Sequence, residues 1–253
     1  MASIELIAEI STNHGGSLAL AKEFIWRFAE AGADWIKFQH TRVKHLRPDD
    51  PQYDWFRRAE LSLEQFQELK AECELVGAKF LTTVYHYQDV PEVQQLGVDT
   101  IKIGSGEAAE EQLAEAVMAS WHRVFVALGL CRNNPYESVY AQERWAGRSE
   151  FLGAVTRYPA PIGVAAQVLR GHSMTWVTTG SWFGVTGWSD HARGPDECYA
   201  AIVNGARIIE KHVQLPHQAR PVRSFEATVD EFKQLRAFAD EDPTRFLGRW
   251  QHA

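Results

Sequence analysis

The stretch SLALAKEFIWRFAEAGADWIKFQ, residues 17–39, decides how the chain is to be read. It opens on Ser17, carries apolar residues at helical spacing, leaves at Gly32, and passes at once into DWIKFQ (34–39), where apolar and polar residues alternate. Ser before and Gly after an amphipathic run are helix start and stop signals, while strict alternation is the mark of a strand. SLEQFQELKAECELVGA (62–78) hands over to KFLTTV (79–84) in the same way, so the unit repeats.

Working outward, eight short runs read as strands: ELIAEI (5–10), DWIKFQ (34–39), KFLTTV (79–84), TIKIGS (100–105), RVFVALG (123–129), EFLGAVT (150–156), FGVTGWS (183–189) and ARIIEKHV (206–213). Helical segments lie between most of them, with only short ones in VPEVQQLGV (90–98) and AAQVLRGHS (165–173). Eight units in 253 residues, without a composition break, favour a single-domain (β/α)8 TIM barrel over residues 1–253; an open doubly wound sheet is the alternative. Two stretches fall outside the repeat, HTRVKHLRPDDPQYDWFRR (40–58) and RYPAPIG (157–163). Both follow strands, where a barrel builds its active face, so each is either a substrate-contacting loop or a plain surface excursion.

With 45% apolar and 23% charged residues the chain can bury a sizeable core. A formal charge of −7 and a pI near 5.8 disfavour nucleic acid and anionic membrane as partners. Cys73, Cys131 and Cys198 are odd in number and widely spaced, which reads as a reducing compartment rather than a disulfide framework. MASIELIAEIST lacks the basic flank of a leader, and no apolar run approaches the ~20 residues of a membrane span, so the expected location is cytoplasmic.

Side chains on a strand alternate between the helix-facing side and the barrel interior. If Ile36, Phe38, Ile101 and Ile103 face the helices, then Glu9, Lys37, Gln39, Thr83, Lys102, Ser105, Ser189, His191, Glu210 and His212 point inward near the carboxyl mouth. Charged side chains are rarely buried unpaired. One lysine would suit an internal ion pair, but two lysines with hydroxyls and two histidines at one end suit a site. Ammonium groups with Ser and Thr hydroxyls match a phosphate or carboxylate. His191 and His212, on neighbouring strand ends, can give two neutral imidazoles to a divalent, Mn²⁺-like ion; the plainer reading is that Asp190 and Glu210 hydrogen-bond these rings. NHGGS (13–17), a glycine turn before a helix, offers backbone N–H groups to an anion or is merely a turn.

Taken in order, AEISTNHGGS, GADWIKFQ, KFLTTVY, GVDTIKIGSGE, RYPAP, GWSDH and GARIIEKHV resemble the sialic acid synthase family over roughly residues 5–240. The resemblance implies a TIM barrel that condenses phosphoenolpyruvate with an aldehyde or aldose acceptor, giving a 2-keto-3-deoxy sugar acid and phosphate. It implies that Lys37, Thr83, Lys102, Ser105 and Ser189 hold phosphoenolpyruvate and that His191 and His212 hold Mn²⁺ or Mg²⁺. Glu9, Gln39, Glu107 and Glu210 match acidic or amide positions near the reacting centre, and a homodimer is implied as well.

Departures from the family pattern bear on donor and acceptor. ALGL (127–130) stands where a Ser-Thr-Gly-Met run is usual, so Ala127 removes a hydroxyl from the phosphate side. VTR (155–157) replaces a stretch that often carries Ser or Asn, with Thr156 a partial substitute. QARPVRSFE (218–226) replaces the family's sugar-binding Asp run and brings Arg220 and Arg223, which suits an acceptor that is smaller or carries its own anion. The sequence ends without the family's antifreeze-like C-terminal domain. Two other readings stay open: a metal-dependent, aldolase-type barrel using a pyruvate-like donor, and a non-catalytic barrel binding a sugar acid.

Overall fold

A computed structural model describes residues 3–129, 144–145, 147–171 and 185–241. Leu130, Cys131, Trp182 and Phe183 lie outside these residues. Eight parallel strands close into a barrel in chain order: β1 (Glu5–Ser11), β2 (Trp35–His40), β3 (Lys79–Val84), β4 (Thr100–Ile103), β5 (Arg123–Ala127), β6 (Ser149–Ala154), β7 (Val185–Asp190) and β8 (Ile208–His212). β1 pairs with β8, with Glu9 opposite His212, so the open-sheet alternative is excluded. β4 and β5 stop short of the expected ends, at Ile103 and Ala127, because Ser105 and Gly129 already belong to the loops above.

The helices among the described residues are α1 (Leu18–Glu30), α2 (Tyr53–Ala59), α3 (Leu63–Leu75), α4 (Val90–Gln94), α5 (Glu111–Ser120), α6 (Val164–Gly171), α7 (Asp196–Val203) and α8 (Val229–Asp240). Ser17 caps α1 by accepting the Leu20 N–H, and Ser62 with Gln65 forms a capping box on α3. Such a cap contributes about 1 kcal/mol by satisfying N–H groups that the helix leaves unpaired. α4, of five residues, is the short helix expected in the third unit. None of the described helices is long and apolar enough to cross a membrane.

Two separate apolar clusters follow from the period-two pattern. The larger lies between strands and helices and includes Leu6, Ile36, Phe38, Ile101 and Ile103 with Phe24, Phe28 and Phe66. The smaller lies inside the barrel: Ile7, Trp35, Leu81, Phe125, Leu152 and Ile208. One step of two residues up each strand takes the interior from these side chains to Glu9, Lys37, Thr83, Ala127, Ala154 and Glu210. Below, Arg123 closes the floor, with Nε 2.5 Å from Glu150 Oε2 and Nη2 2.6 Å from Glu5 Oε1, while Trp35 Nε1 donates to Glu5. The apolar plug therefore blocks water from below, and the polar face opens only upward. At β7, only glycine fits position 187, where a Cβ would stand 2.6 Å from the Ile208 carbonyl oxygen.

His40 departs from this order. It is fully buried against Phe66, and neither ring nitrogen has a hydrogen-bond partner; Glu92 Oε2, at 3.8 Å, is too far. Burial foremost, then the Arg42 charge, push its pKa down to about 4 against the pull of Glu92 and Asp89. An unfolded chain takes up this proton near pH 6.5 and the folded chain only near 4, so stability is complete above 6.5 and falls as pH drops through that window. The loss is on the order of 3 kcal/mol for one imidazole. His40→Leu is expected to flatten the pH dependence of urea unfolding between pH 6.5 and 4 by that amount; an unchanged slope would show that His40 is not the sensitive group.

Candidate active site at the carboxyl mouth

Four buried charges form the base of the mouth. Lys37 Nζ lies 2.5 Å from Glu9 Oε2 and 3.2 Å from Glu210 Oε1, and Lys102 Nζ lies 3.0 Å from Glu210 Oε2. Gln39 Nε2 donates to Glu9 Oε1 at 3.0 Å, and Ser189 Oγ to Glu210 Oε1 at 3.2 Å. Two positive and two negative charges balance, which is how β1, β2, β4 and β8 tolerate them out of water. Glu210 is the hub. Burial alone would raise its pKa, but Lys102 and Lys37 outweigh burial and hold it ionised. Burial works against the Lys37 ammonium too, yet Glu210 and Glu9 keep its pKa raised. Lys102 has a single carboxylate partner and a like-charged neighbour in Lys37, so burial prevails and its pKa is lowered.

Above this base stand the histidines. His191 and His212 have ring centroids 5.4 Å apart at 44°. His191 Nδ1 lies 2.6 Å from the Val155 carbonyl, which leaves Nε2 for another partner, and the buried His212 Nδ1 has none among the described residues. Burial lowers both pKa values, helped at His212 by the nearby His191, so both rings are neutral. Asp190 and Glu210 bond to neither ring: Asp190 is taken by Lys211 and the Ala192 N–H, and Glu210 by the lysines and Ser189. The plainer reading of the histidines is thereby overturned. Two unprotonated imidazoles, one with an orphaned nitrogen, fit a divalent ion whose other ligands come from water or substrate; no group of three or more protein ligands is present among the described residues.

The hydroxyls fall on the opposite wall. Ser105 Oγ accepts the Gly129 N–H at 2.9 Å, leaving its own hydrogen free to donate, and a Cβ on Gly129 would meet both Ser105 and Thr156. Thr83 Oγ1 is buried without a partner. Glu107 sits over Gly104, and burial raises its pKa. Ala127, 3% exposed, presents only a methyl.

Of the two readings of NHGGS the bonds favour the plain turn: Gly15 donates to the Thr12 carbonyl, Gly16 to His14 Nδ1 and Ser17 to the His14 carbonyl. Gly16 is required there by its φ of +87° and by contact with the Arg58 carbonyl, which a Cβ would overlap. Arg223 is likewise committed, its Nε donating to Glu226 Oε1 at 2.7 Å and its Nη2 to Asn13 Oδ1 at 3.3 Å. It pins the loop after β8 and also lines the cavity beside Tyr158. Among the described residues Arg220 has no carboxylate within ion-pair distance: it donates to the Gln52 side chain at 2.8 Å and lies 5.2 Å over Trp55. Burial and the Arg223 charge lower its pKa against the pull of Glu226.

Several residues escaped the sequence reading. Tyr158, from RYPAPIG, packs 4.2 Å from the His191 ring and lines a cavity of about 510 Å³ with Pro159, Arg223, Ser224 and Phe225. Trp55, from the 40–58 excursion, bonds Thr12 at 2.9 Å, which brings that excursion onto the mouth. Asn13 and Glu226 tie the loops after β1 and β8 through a 3.0 Å bond. Their signal was position after a strand, with nothing in the local pattern to select them.

A model described as the NeuB family matches residues 24–241. An uncharacterized protein of Methanocaldococcus jannaschii is 30% identical over 236 residues, covering 91% of this chain and 68% of its own length. The N,N'-diacetyllegionaminic acid synthase of Campylobacter jejuni is 28% identical, with 83% and 67% covered, and the human N-acetylneuraminate-9-phosphate synthase 26%, with 83% and 62% covered. The chain thus spans about two thirds of the length of these relatives. The crystal structure of N-acetylneuraminic acid synthetase from Leptospira borgpetersenii, in complex with citrate, superposes with a TM-score of 0.85 at 24% identity, covering 98% of this chain and 86% of that one.

Proposed function

The chain belongs to the NeuB family, and we propose that it joins phosphoenolpyruvate to the carbonyl of an aldehyde or aldose bearing its own anionic group. The observation that carries the proposal is the charge-balanced quartet of Glu9, Lys37, Lys102 and Glu210 beside two neutral histidines. Lys37 and Lys102 bind the donor's phosphate and carboxylate, and Ser105, Thr83 and Thr156 complete the donor wall. Ser189 and Glu210 hold the lysines in place and charged. His191 and His212 would hold Mn²⁺ or Mg²⁺, which would supply Lewis-acid polarisation of the acceptor carbonyl.

C3 of the donor bonds to the acceptor carbon, whose oxygen takes a proton; water adds at C2, and phosphate leaves with C–O cleavage to give the 2-keto acid. Glu107, its pKa raised by burial, carries protons at the mouth, with Glu9 and Gln39 orienting Lys37. Tyr158 and Phe225 wall the acceptor, and Arg220 binds its anion. The free, buried Cys73 and Cys198 fit a cytoplasmic setting.

The test is phosphate release from phosphoenolpyruvate with Mn²⁺, against neutral aldoses, N-acetylamino sugars and phosphorylated or carboxylated aldehydes. Release is expected with the anionic class. Arg220→Gln is expected to raise the acceptor KM by roughly 10–100-fold, the worth of a charge-assisted bond pair, with the KM for phosphoenolpyruvate unchanged. An equal effect on neutral acceptors would reject the anion role. Ala127 supports a second reading, a donor without phosphate: consumption of pyruvate with no phosphate released from phosphoenolpyruvate would favour it.

A further inference from the structure

We infer that Asp190 and Lys211 are a positioning pair that sets the separation of His191 and His212. The inference rests on the reading of the two imidazoles as metal ligands. Asp190 and Lys211 face each other in the β7–β8 register, and each precedes one of the histidines by a single residue. Side-chain alternation therefore turns them to the helix-facing side, away from the mouth. There Lys211 is 0% and Asp190 1% exposed, and among the described residues no other ion pair is buried so completely.

The bonds of this pair close around His191. Lys211 Nζ lies 2.5 Å from Asp190 Oδ2 and donates to the Ala192 carbonyl at 2.6 Å, and the Ala192 N–H donates to Asp190 Oδ1 at 2.8 Å. From α7, the Cys198 thiol donates to Asp190 Oδ2 at 3.3 Å. The residues on both sides of His191 are thus tied to the residue preceding His212. Val155 then fixes the His191 ring through Nδ1. A buried ion pair is a poor source of stability compared with well-packed apolar side chains, so its place at this register is better explained by geometry. Groups that orient metal-binding histidines, when removed, weaken metal binding without touching the metal.

The test uses metal-stripped, full-length protein, with Mn²⁺ affinity read from the free-ion electron paramagnetic resonance signal and ligand geometry from the visible bands of added Co²⁺. Asp190→Asn with Lys211→Met removes both charges at similar volume and strands neither. Mn²⁺ affinity is expected to fall by roughly 10–100-fold with altered Co²⁺ bands, while the far-ultraviolet circular dichroism stays that of the wild type. A lower melting temperature with unchanged Mn²⁺ affinity and unchanged Co²⁺ bands would overturn the inference. Should the double variant not fold, Lys211→Met alone leaves the Asp190 carboxylate with the Ala192 N–H and the Cys198 thiol as donors and is read the same way, with about a tenfold loss expected. His191→Ala separates the two claims. If it abolishes binding that the pair variant leaves intact, only the positioning role fails; if wild-type protein binds no Mn²⁺, or His191→Ala binds it normally, the imidazole reading falls and takes the inference with it.

Discussion

Glu210→Gln is expected to lower acceptor-dependent phosphate release by about a thousandfold or more in kcat/KM. Among the described residues Glu210 is the single carboxylate paired with Lys102 and one of two paired with Lys37. The amide leaves one negative charge facing two positive ones in a place without water. Lys102, whose pKa burial already lowers, is the group that yields: without Glu210 its pKa falls further, which weakens the charge that grips the donor. Lys37 keeps Glu9 and stays ionised. Because a lysine of lowered pKa regains its charge as pH falls, the variant's KM for phosphoenolpyruvate is expected to improve on acidification over the range where wild type is flat. Removing one partner of a buried pair also costs stability, about 3–5 kcal/mol at most, reduced here because the lysine can neutralise. Steady-state kinetics from pH 6 to 8 provide the check, and a variant with wild-type KM and an unshifted profile would remove Glu210 from the role of hub.

His212→Ala is expected to abolish measurable Mn²⁺ binding and to reduce turnover by about a thousandfold, some 4 kcal/mol of transition-state stabilisation. The ring's buried Nδ1 has no partner among the described residues, so the substitution removes a potential ligand without breaking a hydrogen bond seen at that atom. The ring contacts it forfeits are edge-on ones with Phe225 and Tyr158 and a tilted one with His191. The fold should therefore survive, and metal affinity and melting temperature should part company. Wild-type Mn²⁺ affinity in this variant would reject the two-imidazole centre, and with it the assisted condensation.

The contrast between Arg220 and Arg223 shows where sequence reading reached its limit. Both stand in one departure from the family pattern, three residues apart. Glu226, three residues further on, claims Arg223 and leaves Arg220 with an amide and an indole. Nothing in the local pattern distinguishes them, because the loop's path is fixed by Asn13 and Trp55 from distant parts of the chain. NHGGS stayed open between anion cradle and plain turn for a similar reason: its sequence does not show that His14 folds back to take the Gly16 N–H.

By itself the sequence determined the eight βα units, the inward set from Glu9 to His212 and the family, since these depend on periods of 2 and 3.6 residues and on the order of motifs along one chain. Tertiary structure alone decided that the barrel closes between β1 and β8, that Glu210 serves two lysines, that Arg223 pairs with Glu226 while Arg220 bonds Gln52, and that Asp190 meets Lys211 behind the histidines. Local patterns are set by neighbours a few residues away; pairings across the sheet are set by register and shear, which exist only once all eight strands are in place.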